Sequence, residues 1–281
     1  MVTYESRPTL SLMSKSARKA SRRKPVLGAA LAAATLSALM LTPATAAYAG
    51  AKATFKDCPL SNPKVTLCMV ATTTGGEFAI SSTTLSLSAP IVINMGLYPK
   101  HGELQAVAPT DGTPLMNAPP IPVSIEGISG LLTATPQLLG LPLVNLDNFL
   151  SGAGPALPLS MDVLLSGPAS AGLGSDCTIG DAANPIMVDV TTGTTDPPPP
   201  NTPITGSLGQ GNVNLKNGEF TQTGVTVVDN SFAVPGAYNC GIIPGSLDTI
   251  LDTYEGLPSA SGNNTAVMNL GDSLMPATNL R

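Results

Sequence analysis

Tryptophan is absent from this 281-residue chain, histidine occurs once, at His101, and phenylalanine and tyrosine number five each. Stacking platforms for sugars or bases are therefore poorly supplied. Past residue 49 the basic residues are only Lys52, Lys56, Lys64, Lys100, Lys216 and Arg281. Scattered in this way they leave no footprint for a phosphate backbone, which excludes nucleic acid as a partner. There is no H-E-x-x-H, phosphate-binding loop or dinucleotide fingerprint, and Gly127-Ile128-Ser129-Gly130-Leu131 misses the spacing of a nucleophile elbow. No C-x-x-C occurs, so with a single histidine no metal site is expected. Cofactors are not expected either.

What is present begins with a leader. Arg18, Lys19, Arg22, Arg23 and Lys24 precede an apolar run from Val26 to Leu41, and small residues follow at Ala44, Ala46, Ala47 and Ala49. This order of basic, apolar and cleavage regions is that of an export signal spanning 1–49. It predicts a secreted or cell-envelope-associated protein. The apolar run falls short of the about 20 residues a membrane span needs, so no stable span is expected once the signal is removed. Without residues 1–49 the chain keeps 6 basic and 17 acidic residues, a formal charge of −11.

All four cysteines, Cys58, Cys68, Cys177 and Cys240, follow the leader. In an exported chain an even count reads as two disulfides. Three pairings are open. Cys58 with Cys68 and Cys177 with Cys240 is favoured, because the first would clip neighbouring segments and the second would close one C-terminal unit.

The 27 prolines and 28 glycines exclude long helices, since proline lacks the amide donor and clashes with the preceding turn. Strand-like runs recur at Val65 to Thr72, Thr83 to Asn94 with a break at Pro90, Pro122 to Ile125, Ser160 to Leu165, Ile186 to Thr191, Val213 to Leu215 and Val225 to Val228. The expected fold is mainly β, an antiparallel sandwich or open barrel with one or two short helices. The clearest helix is 246–255, with Ser246 as cap, Leu247, Ile250, Leu251 and Tyr254 as a core stripe, and Gly256 as stop. Asp248, Asp252 and Glu255 then form its solvated face. A weaker helix is read near Leu143 to Leu150. Pro197 to Pro200 reads as an extended surface connection. An echo between Asp57-Cys58…Asn62-Pro63 and Asp176-Cys177…Asn184-Pro185 suggests β-rich halves 50–172 and 173–281, with one continuous domain as the alternative.

Chemistry is harder to find. Gly271-Asp272-Ser273-Leu274 spells the short motif of a class of serine esterases, but only seven residues follow Leu274 and none is histidine or acidic. His101 would have to be carried back to Ser273 by the fold to serve as its base. The segments Pro203-Ile204-Thr205-Gly206, Val228 to Ala237 running on to Cys240-Gly241, and Gly256-Leu257-Pro258-Ser259-Ala260 resemble a family of exported actinobacterial proteins, as do Asp57-Cys58-Pro59 and Gly76-Glu77-Phe78. That likeness implies an exported, disulfide-containing β-protein and supplies no catalytic set.

For a binding site, a cleft bordered by Asn230, Phe232, Tyr238 and Ser259 is the candidate. Two functions are carried forward. One is a non-catalytic secreted or envelope protein whose interior or interface binds lipid or another envelope component. The alternative is a secreted hydrolase of lipid or sterol esters using Ser273 and His101.

Overall fold

The computed structural model describes residues 54–281; the expected export signal lies outside the described residues. In chain order the strands begin with β1 (Leu67–Ile80), β2 (Thr83–Ser86), β3 (Val92–Lys100), β4 (Glu103–Val107), β5 (Met116–Asn117), β6 (Ile121–Val123), β7 (Leu132–Leu138) and β8 (Leu143–Val144). A short helix, α1 (Leu146–Ser151), leads to β9 (Leu157–Ser166), β10 (Thr178–Ile179), β11 (Ile186–Val190), β12 (Gln210–Asn214), β13 (Glu219–Asp229) and β14 (Ala237–Tyr238). Helix α2 (Asp248–Glu255) precedes the last strand, β15 (Asn264–Pro276).

Two antiparallel sheets pack face to face, as expected of a sandwich. The larger runs β12-β13-β15-β1-β3-β4-β8, with β2 on β1 and β5 on β3; the smaller runs β14-β10-β9-β7-β6, with β11 on β9. Both sheets draw strands from either side of residue 172, so the two halves do not separate into sheets of their own. A backbone bridge joins the sheets at one place: Thr191 N–H donates to the Val228 carbonyl and Val228 N–H to that of Thr191.

Strand β1 makes the large sheet possible. Its first part, Leu67 to Thr72, pairs with β3, and its last part, Glu77 to Ile80, pairs with β2. Between them the register against β15 slips at Thr73/Gly75. Such a bulge bends a strand and increases its twist. Gly76 is held at φ 137°, where a Cβ would run into the Val267 carbonyl. Only glycine fits.

Alternation along β1 sorts its residues between two cores. Met69 and Ala71 face the smaller sheet. Cys68 and Val70 face outward, where Phe55, Cys58, Val65, Met275 and Leu280 bury them in a second, smaller cluster. Arg281 fastens this outer layer, donating to the backbone carbonyls of Leu60, Asn62 and Val65.

Both helices end on a left-handed glycine, Gly152 and Gly256. Helix α1 is capped by Asn145, whose side chain accepts from Asn148 N–H at 2.9 Å. Helix α2 departs from expectation in two respects. Leu247, not Ser246, occupies the N-cap position, without a side-chain cap. Its acidic face is also turned inward: Asp248 accepts from Cys240 N–H and Asp252 from Ala237 N–H, each at 2.7 Å, while Glu255 is buried. Ile250 and Tyr254, expected in the core, are exposed, and only Leu251 of the stripe is fully covered. The physical reason is that the amides of Ala237, on the edge strand β14, and of Cys240, just after it, have no strand partner, and the carboxylates accept from them.

The disulfides are Cys58–Cys68 and Cys177–Cys240, the favoured pairing. Such bonds are the chemistry of an oxidising, extracytoplasmic environment. Pro197 to Pro200 runs outside any strand, where Pro198 and Pro199 carbonyls pack against Gly262. Among the described residues no helix is long and apolar enough to cross a membrane.

The two disulfides close loops of sequence separation 10 and 63. On the loop-entropy model, urea denaturation should find Cys177→Ala/Cys240→Ala destabilised by about 4 kcal/mol and Cys58→Ala/Cys68→Ala by about 3 kcal/mol. A larger loss from the short loop would mean that the outer cluster, not chain entropy, dominates.

Candidate functional site

The inner faces of the two sheets do not close on each other completely. Between them lies a cavity of about 100 Å³. Its floor comes from β1, β3 and β15 of the large sheet, its roof from β7, β9 and β11 of the small one, and Phe149 of α1 closes one side. Of the side chains that line it, only Thr72 and Thr73 carry a polar atom. Thr73 Oγ1 already accepts from Ile91 N–H at 2.8 Å.

The lining is rich in methionine. Met69, Met95, Met116, Met161 and Met268 all border the cavity, which accounts for five of the seven methionines beyond residue 49. Methionine has three rotatable bonds and a polarisable sulfur, so it adapts to irregular apolar shapes. A dry apolar cavity of this order is the kind that takes up small apolar molecules in other proteins.

A smaller cavity of about 30 Å³ adjoins the first and shares Ile80, Leu85, Ala134 and Val163 with it. It lies where β2 of one sheet stands beside β6 of the other. Here the lining changes character. Thr83, Ser124 and Glu255 join it, and Thr83 Oγ1 donates to Glu255 Oε2 at 2.8 Å.

The large sheet also buries charge on its inner face. Register places Ile93, Ala71, Asp272 and Gln222 in one row across β3, β1, β15 and β13. Ile93 and Ala71 line the cavity; Asp272 and Gln222 continue the row beyond it, 4% and 5% exposed. Gln222 Nε2 donates to the Leu208 carbonyl. Neither carboxylate oxygen of Asp272 nor Oε1 of Gln222 has a hydrogen-bond partner. Burial alone pushes the Asp272 carboxyl up to about 6, because desolvation penalises the charged form. Burial likewise raises Asp162, with Asp181 adding to it, and Asp189, with Asp229 adding to it.

The sequence-predicted residues fall elsewhere. Asn230, Phe232 and Ser259 are brought together, but as a structural staple. The fully buried Asn264 donates through Nδ2 to the carbonyls of Phe232 and Ala260 and accepts from Ser81 N–H. Val234 and Ser259 exchange backbone hydrogen bonds, and Asn230 is tied to Thr202 and Asn201. Tyr238 is apart from them, exposed on β14 at the edge of the small sheet. The nearest the group comes to the cavity is Phe232, whose ring centroid lies 5.8 Å from that of the lining Phe78.

Ser273 sits within β15, opposite Val70 of β1, which is itself opposite Asn94 of β3. His101 is at the turn after β3, with φ 53°. Seven residues of extended chain separate it from Asn94, roughly 20 Å along the strand direction. The structure does not bring nucleophile and base together.

Asp272 was legible in principle. Ala266, Met268, Leu270 and Asp272 alternate along one face of β15, so an acid stands where the pattern calls for an aliphatic residue. The cavity has no comparable signal, because its lining is spread over strands from one end of the fold to the other.

No protein-family model, curated protein or solved structure matches the chain.

The raised Asp272 pKa has a definite sign. In the unfolded chain this carboxyl ionises near 3.8, and in the folded protein near 6. Below about pH 3 both states are protonated and folding bears no cost; as pH rises from there to about 6 the cost of burying the charge appears, and it is complete above that range. Asp272→Asn should therefore be more stable than wild type by about 3 kcal/mol at pH 8 and equal to it near pH 3. Urea titrations at both pH values read this directly, and a pH-independent difference would contradict it.

Proposed function

We propose that this is a non-catalytic, exported binding protein that takes the aliphatic part of a lipid or related envelope component between its two sheets. The observation that carries the reading is the methionine-rich intersheet cavity with only two hydroxyl-bearing side chains in its lining. A core that served only to hold the sheets together gains from close packing, since each void forfeits dispersion contacts. An adaptable apolar hollow kept at the centre of the sandwich is better explained by an apolar guest.

Export is part of the proposal. It rests on the leader at 1–49, on the formal charge of −11 that remains without it, and on two disulfides. The resemblance to exported actinobacterial proteins agrees with it. The ester-hydrolase alternative receives no support from the positions of Ser273 and His101, which lie two strands and roughly 20 Å apart.

The methionines make the test direct. In protein labelled with ¹³C at the methionine methyls, titration with a medium-chain aliphatic compound should shift Met69, Met95, Met116, Met161 and Met268. Met187, exposed on β11, and Met275, in the outer cluster, should stay in place. Ala134 borders both cavities and is itself buried; Ala134→Leu should weaken binding at least about tenfold by filling the space, with folding verified by the thermal transition. Absence of any shift up to the solubility limit, or equal shifts at Met187 and Met275, would overturn the proposal.

A further inference from the structure

Apart from Thr72 and Thr73 in the larger cavity, polar lining is confined to one end of the two adjoining cavities. At the β2–β6 seam the smaller cavity meets Glu255, Thr83 and the exposed Ser124, whereas the four residues it shares with the larger one, Ile80, Leu85, Ala134 and Val163, are apolar. A molecule lying across both would have hydrocarbon around one end and this polar trio around the other. The two cavities thus match an amphiphile in orientation as well as in character.

The chemistry at the polar end is one-sided. Glu255 is nine-tenths buried and stands at the last residue of α2, whose unpaired carbonyls add partial negative charge. No lysine or arginine lines either cavity, and the only ion pair among the described residues is Lys56 with Asp57, in the outer layer. A carboxylate offers about four acceptor positions, of which the Thr83 hydroxyl takes one. Beyond the hydroxyls of Thr83 and Ser124, this end offers no side-chain donor and no cation. A carboxylate or phosphate head would face like charge with no cation to offset it, while a head carrying O–H or N–H bonds would satisfy Glu255 where water is scarce.

We propose that the ligand is an amphiphile whose polar end is a hydrogen-bond donor, a hydroxyl or an ammonium group, held by Glu255 beside Thr83 at the seam between β2 and β6. This deepens the binding reading above and rests on it. It makes the protein a selector against free fatty acids and phospholipid head groups, and in favour of long-chain alcohols or amines.

Four eight-carbon probes of similar size separate the cases: 1-octanol, octylammonium, octanoate, and heptyl methyl ether, an isomer of octanol without its donor. Dissociation constants are read from the cavity methionine methyl shifts. Octanol and octylammonium should each bind about tenfold tighter than the ether, with octanoate weakest. Whichever of the two is tighter identifies the head group. Glu255→Gln should retain the octanol preference and abolish that for octylammonium, and Glu255→Leu should abolish both. The wild-type ratios decide even if a variant fails to fold. Equal binding of octanol and its ether, or octanoate as the tightest probe, would overturn this inference alone and leave the cavity reading standing. Binding of none of the four would overturn both.

Discussion

The structure depends on a single strand serving two neighbours on the same edge. β1 pairs with β3 along its first half and with β2 along its second, and the change-over is made at the bulge by Thr73 and Gly75. A straight strand would have continued beside β3 and kept the sheet flat against its partner. The bend instead directs Phe78 and Ile80 toward the seam while Met69 and Ala71 stay at the centre, and all four border the hollow. The cavity is thus set by backbone geometry, and Gly76 is the residue that geometry admits at that point because the Val267 carbonyl occupies the space of a side chain.

From this follows the division of polar groups. Inward-facing positions near the bend are apolar except for Thr72 and Thr73, while the other polar side chains described appear where the sheets part or where the row across them runs beyond the cavity. Asp272 and Gln222 lie at the latter place and Glu255 with Thr83 at the former. The difference between them is chemical. Asp272 has no hydrogen-bond partner and carries a raised pKa, the signature of a group whose charge the fold tolerates poorly. Glu255 has a hydroxyl donor and a cavity in front of it.

Much of the fold was legible from residue patterns. Proline and glycine frequency ruled out long helices, period-two runs located most of the longer strands, and the disulfide pairing followed from favouring local closure. What could not be read was which strands are neighbours: β1 lies between β15 and β3, and nothing in its own residues names a partner near the other end of the sequence. The same limitation hid the site. Asn230, Phe232 and Ser259 do cluster, but turn-type residues are also what a fold uses to satisfy buried backbone, and here Asn264 donates to the carbonyls of Phe232 and Ala260 and Asn201 to that of Asn230. On α2 the carboxylates faced inward because unpaired amides at 237–240 called for acceptors, a demand set by tertiary placement that helical periodicity does not encode.

The pairing of β1 with β15 also sets an order of events during biosynthesis. These strands are the central pair of the large sheet, yet Leu67 meets Pro276 and Ile80 meets Asn264, so the middle of the sheet stays open until nearly all of the chain has emerged. Contacts so distant in sequence make for slow folding and a long exposure of unpaired strand edges. The short Cys58–Cys68 loop is the one covalent closure available early. The cluster of Met95, Leu97, Ala106, Leu115 and Val144 can pack before β15 is made, but the central pairing of the large sheet waits for that strand.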